Sequence, residues 1–547
     1  MPTITINKKE FEKYVGKKLS LDKLKDRISY LGTDLDKIDN NEIVVEIFPD
    51  RPDMLSTQGF SRAFSSFIGV KKGLKKYNVK KSDYKVVIET SVNKYRPYTA
   101  CAIVKNLKFN EEKIKEVIDI QEKLHITYGR HRKKAAIGIY PFEKIKTPIR
   151  FIAEDPKKIR FIPLGEKVEM SGSQILTQTS TGREYKHLLD EMNKFPLFID
   201  ANNEVLSMPP IINSEKVGSI STKTNDVFVE CSGFDFNILK KCLNIIVTAL
   251  SDMGGDIYSM ELVYGNKKII SPNLEPEKIK LDLKYVNKLL GLNLKDIRQY
   301  LEKMGYGYVD GEVLVPPYRA DIMHQVDLIE DIAIAYGYEN FEEEIPNVAT
   351  VGEENSFEIF KNKIANLLVG FNLIETNNYH LTNKKDLCED MLNKTDYIEL
   401  EKASSSDHNI LRTWIIPSLM QVIRNNKHNE YPQNIFEIGT VFKKGKTETN
   451  IEENDRVAVA LCNSKANFTE IKQILDSLLD NLGLKYKIEN IEHNSFIPGR
   501  VGRVSINNKN VAYVGELNPL VLSNFDVQMP ISVFELNLTE LYKTLNK

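Results

Sequence analysis

The sequence predicts a multidomain α+β protein. Its 547 residues correspond to three or four domains at roughly 150 residues per domain. Amphipathic helical patterns recur along the chain, separated by short strand-like runs bounded by Pro, Gly, Asn and Asp. Hydrophobic residues make up 41% and charged residues 28% of the chain, as in ordinary globular proteins.

Net charge, apolar runs and cysteine spacing exclude several classes of protein. The net charge of −1 gives no global attraction to nucleic acid, so RNA contacts would need local patches. No apolar run approaches the ~18 residues that span a bilayer, and the N-terminal segment lacks the apolar core of a secretory signal. The five cysteines form no CxxC pair. We expect a reduced, cytoplasmic protein without membrane contact or structural zinc.

The first domain is predicted at residues 1–88 as an N-terminal α/β domain. EIVVEIF favours a strand, and PDRPDML after it favours a turn. STQGFSRAFSSFIG predicts a helix, because Phe60, Phe64 and Phe67 lie on one helical face. The lysine-rich stretch KKGLKKYNVKKSDYK, which follows, is interpreted as a solvated linker.

A second α/β domain is predicted at residues 89–268. AAIGIYPF, FPLFIDANNEVLSMPPIIN and DVFVECSGFDF read as strands. NILKKCLNIIVTALSDMGG is an amphipathic helix that ends at Gly254 and Gly255. The basic cluster YGRHRKK, which precedes one strand, is interpreted as a solvated face and not as an RNA site.

The third domain, residues 269–347, is predicted as a winged-helix-like module. Leu294, Ile297, Leu301 and Met304 are spaced as one face of a helix. The Asp-Gly pair in YGYVDGEVLVP is a strong signal for a two-residue hairpin.

The fourth domain, residues 348–547, alternates helices with strands. SFEIFKNKIANLLVGF and NFTEIKQILDSLLDNLG are helical patterns, whereas QNIFEIGTVF, DRVAVALC, GRVSIN and VAYVGEL are strand-like. These runs predict an antiparallel sheet with helices.

Four carboxylates crowd the segment VPPYRADIMHQVDLIEDIAIAYGY: Asp321, Asp327, Glu330 and Asp331. Asp327 and Glu330 fit an Asp-x-x-Glu capping box at a helix start. The set of oxygen ligands without His or Cys also suits Mg²⁺. The chemistry alone favours capping over a metal site, with a catalytic centre the weakest interpretation. The sequence has no Walker A loop, GxSxG elbow, HExxH or dinucleotide-binding glycine loop.

Long segments of the chain carry the motifs of one known family. They are VPPYRADIMHQVDLIEDIAIAYGYENF, EIFPDRPDMLSTQGFSRAFSSFIG, VLSMPPIIN, LRTWIIPSL with NIFEIGTVF, and FIPGRVGRV with VGELNP. In content and order they resemble the phenylalanyl-tRNA synthetase beta subunit, in its archaeal and eukaryotic cytosolic form. The resemblance covers nearly the whole chain.

The resemblance implies a partner and a division of labour. Such beta subunits pair with an alpha subunit in an α₂β₂ heterotetramer, and alpha binds ATP, phenylalanine and the end of tRNA(Phe) that is charged. The domain at 348–547 is then expected to be a class II synthetase-like fold that is catalytically inactive and packs on alpha. This chain would hold no catalytic residue for synthesis. The resemblance also assigns Asp321, Asp327, Glu330 and Asp331 to a magnesium site, which reverses the order reached from chemistry alone.

The same resemblance makes residues 89–268 an editing domain that hydrolyses mischarged Tyr-tRNA(Phe). By position, its pocket would include Phe198, Ser207, Glu230 and Ser232. Archaeal relatives often carry Asp and Thr at the last two positions, and AAIGIYPF also departs from the family's usual continuation. The alternative is a structural and tRNA-binding subunit with an inert editing pocket.

Overall fold

A computed structural model describes residues 2–39, 41–346, 348 and 351–545. The chain divides into two compact units, Met1–Ile345 and Pro346–Lys547. Both units mix helices with strands, so the chain has the predicted α+β character. Among the described residues, no helix has the length and apolar character needed to cross a bilayer.

The N-terminal unit begins with a small antiparallel sheet of order β1-β3-β2, on which three helices pack. Phe11 of the first helix packs against Phe60 and Phe64 of the third, with ring centroids 5.8 and 5.2 Å apart. The predicted helical face of Phe60 and Phe64 is thereby confirmed. The elements are β1 (Thr3–Asn7), α1 (Lys8–Val15), α2 (Leu21–Tyr30), β2 (Asp34–Ile38), β3 (Glu42–Glu46) and α3 (Thr57–Phe67).

Two larger sheets follow in the same unit, with the orders β4-β15-β6-β14-β7 and β13-β12-β11-β8-β5-β16-β17, and a short pair β10-β9. The strands are β4 (Val79–Lys80), β5 (Lys85–Ile88), β6 (Tyr98–Lys105), β7 (Ala135–Pro141), β8 (Ile149–Glu154), β9 (Arg160–Phe161), β10 (Met170–Ser171), β11 (Phe195–Ile199), β12 (Val205–Met208), β13 (Ile212–Asn213), β14 (Val227–Gly233), β15 (Asp256–Tyr258), β16 (Met260–Tyr264) and β17 (Lys267–Ser271). The helices are α4 (Glu111–Ile126), α5 (Gly172–Gln178), α6 (Ser180–Tyr185) and α7 (Phe236–Asp252).

The lysine-rich stretch is not the solvated linker that its composition suggested. It contributes β4, which pairs in parallel with β15, and its last residue, Lys85, begins β5, which pairs in parallel with β8 and β16. Val86 and Ile88 of β5 are buried in the core of the second sheet. The predicted boundary after residue 88 therefore separates β4 and β5 from their partner strands, since pairing with the second body begins at Val79.

The last part of this unit holds a small sheet of order β18-β20-β19 with three helices. Asp310 and Gly311 both have positive φ, 51° and 80°, as a two-residue hairpin turn requires, which confirms the predicted hairpin. The predicted helix from Leu294 begins later, because the Asn287 side chain bonds both backbone groups of Leu294. The elements are β18 (Glu277–Lys280), α8 (Leu283–Leu290), α9 (Arg298–Lys303), β19 (Gly307–Val309), β20 (Glu312–Val315) and α10 (Gln325–Tyr336).

The C-terminal unit is built on a sheet of order β21-β25-β26-β30-β29-β28-β27, antiparallel except for the β21–β25 pair. Helices cover it on both faces, with one apolar core on each side. The strands are β21 (Ile374–Glu375), β22 (Leu381–Thr382), β23 (Ile398–Glu399), β24 (Ile410–Leu411), β25 (Gln433–Lys444), β26 (Ile451–Cys462), β27 (Lys487–Asn490), β28 (Phe496–Ile506), β29 (Lys509–Leu517) and β30 (Ile531–Asn537). The helices are α11 (Ser356–Gly370), α12 (Ile416–Asn425), α13 (Phe468–Asn481), α14 (Pro519–Asn524) and α15 (Leu538–Leu545).

Candidate functional site

Two of the four clustered carboxylates are held by one buried arginine. Asp321 accepts hydrogen bonds from Nε and Nη2 of Arg319, at 2.8 and 2.6 Å. Asp331 accepts from the same Nη2 at 2.8 Å and also from the hydroxyl of Tyr306. Arg319 is only 2% exposed. The guanidinium therefore lies between two of the carboxylates that the resemblance assigned to a metal.

The other two carboxylates serve the helix α10 and its surroundings. The helix begins at Gln325 with His324 as its N-cap, and Asp327 accepts from the backbone N–H of Met323 and His324, each at 2.8 Å. Glu330 accepts from the hydroxyl of Tyr338 at 2.7 Å. The capping box exists, but the prediction with Asp327 at its start was wrong by three residues.

The four carboxylates do not converge as magnesium ligands would. In the described part of the chain, no three of them bring ligand oxygens within 4.8 Å of one another. The cation already between Asp321 and Asp331 is the guanidinium of Arg319, which satisfies their charge. The geometry does not fit a magnesium ion, and the metal site stays a prediction.

A second candidate site lies between the two larger sheets of the N-terminal unit. Glu230 on β14 and Ser207 on β12 face each other across the hydroxyl of Tyr140 on β7. This hydroxyl hydrogen-bonds to Ser207 Oγ at 2.8 Å and to Glu230 Oε1 at 3.1 Å. All three side chains are at most 2% exposed. The phenol of Tyr140 is thus bound by a hydroxyl and a carboxyl group inside the protein.

Burial controls the charge of Glu230. It raises the pKa of Glu230 to about 8, although Tyr140, Arg96 and Ser232 each act to lower it. Near pH 7 this carboxyl therefore keeps its proton, and it can donate a hydrogen bond to a phenolic oxygen. One of its two oxygens, Oε2, has no hydrogen-bond partner among the described residues.

Ser207 and Glu230 line a cavity of about 220 Å³, together with Asn213. Phe198 and Ser232 do not line it. Phe198 pairs with Ser207 across the strands, but its buried ring stacks on Phe151 with centroids 4.3 Å apart. Ser232 accepts a hydrogen bond from Arg96 Nε at 3.1 Å. The structure thus brings two of the four predicted residues to the cavity.

Three interacting residues lie at the rim of this cavity: Glu122, His125 and Arg132. Nη2 of Arg132 lies 3.1 and 3.2 Å from the two carboxylate oxygens of Glu122, and Nη1 donates to the carbonyl oxygen of Ile211 at 2.9 Å. His125 Nε2 accepts from Ile137 N at 2.8 Å, and burial lowers the pKa of His125. Burial acts to raise the pKa of Glu122, but contacts with His125 and Arg132 lower it to about 2.

Sequence reasoning missed Tyr140, Glu122 and Arg132. Arg132 belongs to YGRHRKK, yet its side chain is 11% exposed, so the solvated interpretation was wrong for this residue. Tyr140 lies in AAIGIYPF, and the departure of that stretch from the family pattern was a signal that the pocket differs here. Nothing in the sequence indicated that its side chain reaches Ser207 and Glu230.

Comparisons with known proteins match one family over nearly the whole chain. Two family models match, "tRNA synthetase B5 domain" at residues 279–338 and "Phenylalanyl tRNA synthetase beta chain CLM domain" at residues 341–538. The phenylalanine–tRNA ligase beta subunit of Pyrococcus abyssi is 40% identical over 557 residues, which cover 99% of this chain and 100% of that protein. The corresponding subunit of Methanococcus aeolicus is 38% identical, with 98% and 100% covered.

One solved structure supports the fold of the N-terminal part. The crystal structure of an N-terminal fragment of the phenylalanyl-tRNA synthetase beta subunit from Pyrococcus horikoshii matches with a TM-score of 0.59 and 38% sequence identity. The match covers 61% of this chain and 99% of that chain. The N-terminal part of the mixed α+β architecture described above therefore resembles that fragment.

Proposed function

The chain belongs to the family of phenylalanine–tRNA ligase beta subunits, and from this premise we propose that it forms an α₂β₂ ligase with an alpha subunit and edits mischarged tRNA. The relatives are named as beta subunits of a ligase, which supports a second kind of subunit, and ATP, phenylalanine and the acceptor end of tRNA(Phe) would bind to that alpha subunit. The beta chain would bind tRNA(Phe) and remove tyrosine from it.

Phenylalanine and tyrosine differ by a single hydroxyl. A hydrophobic pocket rejects an isostere with an added hydroxyl by only roughly 10²-fold, so a second site that requires the hydroxyl improves accuracy. The observation that carries our proposal is the bound phenol of Tyr140. Its hydrogen bonds with Ser207 and Glu230 identify a buried polar pair that is placed to bind a phenolic hydroxyl.

The two ends of the cavity suit two parts of a tyrosyl ester. Protonated Glu230 would donate to the phenolic oxygen of the substrate, and Ser207 would bond the same group. At the rim, Glu122 is ionised and 40% exposed, so its carboxylate can accept a hydrogen bond from a water and orient it toward the ester. Arg132 holds that carboxylate in place. Glu230 thus recognises the substrate, and Glu122 is our candidate for positioning the attacking water.

A second candidate function rests on the same contact. The hydroxyl of Tyr140 occupies the place that a substrate phenol would need, so the subunit would be inert in editing if Tyr140 never leaves. The chain would then serve as a structural and tRNA-binding subunit. This alternative predicts normal charging with no hydrolysis of Tyr-tRNA.

The test is co-expression with the alpha subunit from the same genome, followed by assays of phenylalanylation and of Tyr-tRNA(Phe) deacylation. We expect both activities, with deacylation reduced about 10²-fold in Glu230→Ala and largely kept in Glu230→Gln. Glu191→Ala is the matched control, because Glu191 is an exposed glutamate of the same domain. Charging without deacylation would support the second candidate, and no complex with alpha would refute the assembly.

We propose the finer domain assignments on the same premise. Residues 269–347 would form the winged-helix-like module, and residues 348–547 a class II synthetase-like fold without synthetic activity that packs on alpha. The match of the beta-chain family model to residues 341–538 supports the second assignment. No step of the proposed function goes through a metal ion.

A further inference from the structure

The C-terminal unit contains a cavity of about 440 Å³ that the proposed function does not use. Its floor is the face of the large sheet that carries α12. Arg503, Tyr513 and Glu535 lie directly opposite one another on β28, β29 and β30, so their side chains form a row on this face. Arg456 comes from the adjacent strand β26. We call this space the sheet-face cavity.

The side chains that line the sheet-face cavity carry more positive than negative charge. Among the described residues that line it, the cationic side chains are Arg456, Arg503 and Lys394, and the acidic one is Glu535. Glu535 is already engaged: it accepts from the backbone N–H of Ile415 and Ile416 at 2.8 and 3.1 Å, and from Arg456 Nη1 at 2.9 Å. The cavity therefore keeps an excess of positive charge.

Two lining donors have no acceptor in the part of the chain that the structure describes. They are Nε1 of Trp414 and Nε of Arg456. Trp414 is 9% exposed, and a buried N–H without an acceptor destabilises a protein unless a ligand or water supplies one. Arg503 adds a like charge next to Arg456, which acts with burial to lower the pKa of Arg503. The two guanidinium groups side by side in the lining favour an anionic group in this cavity.

Aromatic rings form the walls of the same space. His493 lies between Trp414 and Tyr513, with ring centroids 5.9 and 5.2 Å away. The guanidinium of Arg503 stacks over the ring of Tyr513 at 4.0 Å. Burial and the nearby Arg503 lower the pKa of His493, so its ring is neutral at pH 7 and adds an apolar surface. Flat walls of this kind favour a flat ligand.

We propose that the sheet-face cavity binds a small aromatic anion, a planar ring that carries a carboxylate or a phosphate group. The anionic group would accept from the guanidinium groups of Arg456 and Arg503, while the ring would stack among the aromatic walls that include Trp414. The volume lies within the usual range for small-ligand pockets. This proposal does not depend on editing, because the cavity and the Glu230 site belong to different units.

The chain supplies its own reporter for the test. Trp414 is the one tryptophan of the sequence, so the intrinsic indole fluorescence of the full-length chain reports on this cavity alone. We would titrate the protein with adenosine monophosphate and, separately, with phenylacetate. Inorganic phosphate and acetate serve as controls for the anionic group without the ring. A saturable change with adenosine monophosphate would identify a phosphate-bearing ligand, and one with phenylacetate a carboxylate.

Arg503→Gln tests the assignment of the residues. We expect it to weaken binding of the effective probe by about tenfold or more, the usual effect of losing a hydrogen bond to a charged group. Arg500→Gln is the matched control: Arg500 lies on the same strand but is 59% exposed and pairs with Glu516. The affinity of the Arg500→Gln variant for the same probe should stay within about twofold of that of the wild type. Melting temperatures of both variants equal to that of the wild type would show that both are folded.

Three results would overturn the proposal. The first is no saturable fluorescence change with either aromatic probe up to roughly 1 mM, a concentration that reveals even weak specific binding of a small ligand. The second is inorganic phosphate or acetate binding as tightly as its aromatic counterpart, because the ring would then contribute nothing. The third is wild-type affinity in Arg503→Gln, since the guanidinium would then lie outside the site.

Discussion

Replacing Glu230 with Gln is expected to stabilise the N-terminal unit, and increasingly so as the pH rises. Glutamine keeps the size and the hydrogen-bonding capacity that Tyr140 and Ser207 meet, but it never ionises. Wild-type Glu230 has an ordinary pKa of 4.5 when exposed and a pKa of about 8 in its buried position. Folding must therefore hold a proton that the unfolded chain releases above pH 4.5.

The direction in which stability changes with pH follows from this difference in pKa between the unfolded and the folded state. Between pH 4.5 and about 8 the unfolded state loses the proton and the folded state keeps it, so the wild type becomes less stable as the pH increases. Each pH unit is worth ~1.4 kcal/mol, which gives a contribution on the order of 3–5 kcal/mol at pH 8. At pH 5 the difference between Glu230→Gln and the wild type should be within about 1 kcal/mol.

The assay is urea unfolding of wild type, Glu230→Gln and Glu191→Gln at several pH values between 5 and 8. The gap between Glu230→Gln and wild type should widen with pH, while Glu191→Gln, an exposed control, should follow the wild type. A gap of constant size would show that Glu230 ionises alike in both states. A gap that narrows with pH would mean that the folded state prefers the charged carboxylate, and our account of recognition by a protonated acid would be wrong.

Three further predictions concern stability. Asp331→Asn should lower the free energy of unfolding of the N-terminal unit by about 1–3 kcal/mol, because Arg319 loses a buried partner. The same decrease in EDTA and in excess Mg²⁺ would support that pairing. A decrease seen only in excess Mg²⁺ would restore the metal site. Arg412→Met should lower the free energy of unfolding in urea by about 3–5 kcal/mol. It leaves the buried carboxylate of Glu437 without the guanidinium group whose Nη1 lies 2.5 Å away. Gly311→Ala should lower stability by about 1 kcal/mol in thermal melts, because its φ of 80° strains a residue with a Cβ, and an unchanged melting temperature would contradict that turn.

Features that depend on neighbouring residues, such as turns and helix starts, could be predicted from the sequence, although not always in the right register. The Asp310-Gly311 hairpin is present because the turn depends on two adjacent residues that tolerate positive φ. The start of α10 was missed by three residues, because the backbone N–H groups can be capped from more than one side chain in DIMHQVDLIE. His324 and Asp327 make the capping contacts, and the sequence pattern does not distinguish this register from the next.

Contacts between distant segments could not be predicted in the same way. Composition made the lysine-rich stretch look like a linker, but it supplies β4 and leads directly into β5, whose alternating apolar residues Val86 and Ile88 enter a core formed by strands far along the chain. The four acidic residues near α10 were visible, whereas the position of Arg319 between two of them depends on how the preceding turn folds back. Resemblance placed Ser207 and Glu230 together; only the tertiary structure adds Tyr140.

The position of Tyr140 leads to a final prediction about selectivity. A substrate can enter only when the Tyr140 phenol has left, so the apparent affinity of the site is its intrinsic affinity reduced by the open fraction. That fraction is a property of the free protein and is the same for every substrate. In the proposed editing site, Tyr140 would therefore lower the hydrolysis of Tyr-tRNA and Phe-tRNA by equal factors, and Ser207 and Glu230 would discriminate between them.

Tyr140→Ala separates the occupation of the site by Tyr140 from the recognition of the substrate by Ser207 and Glu230. In the complex with alpha, it should raise the rate of deacylation of Tyr-tRNA(Phe) and Phe-tRNA(Phe) at subsaturating substrate by the same factor, leaving their ratio unchanged. Glu230→Ala should instead reduce the ratio, because the hydroxyl of tyrosine loses the group that recognises it. A ratio that changes in Tyr140→Ala would mean that Tyr140 contacts the bound substrate, and the resident phenol would then be part of the recognition site and not a competitor for it.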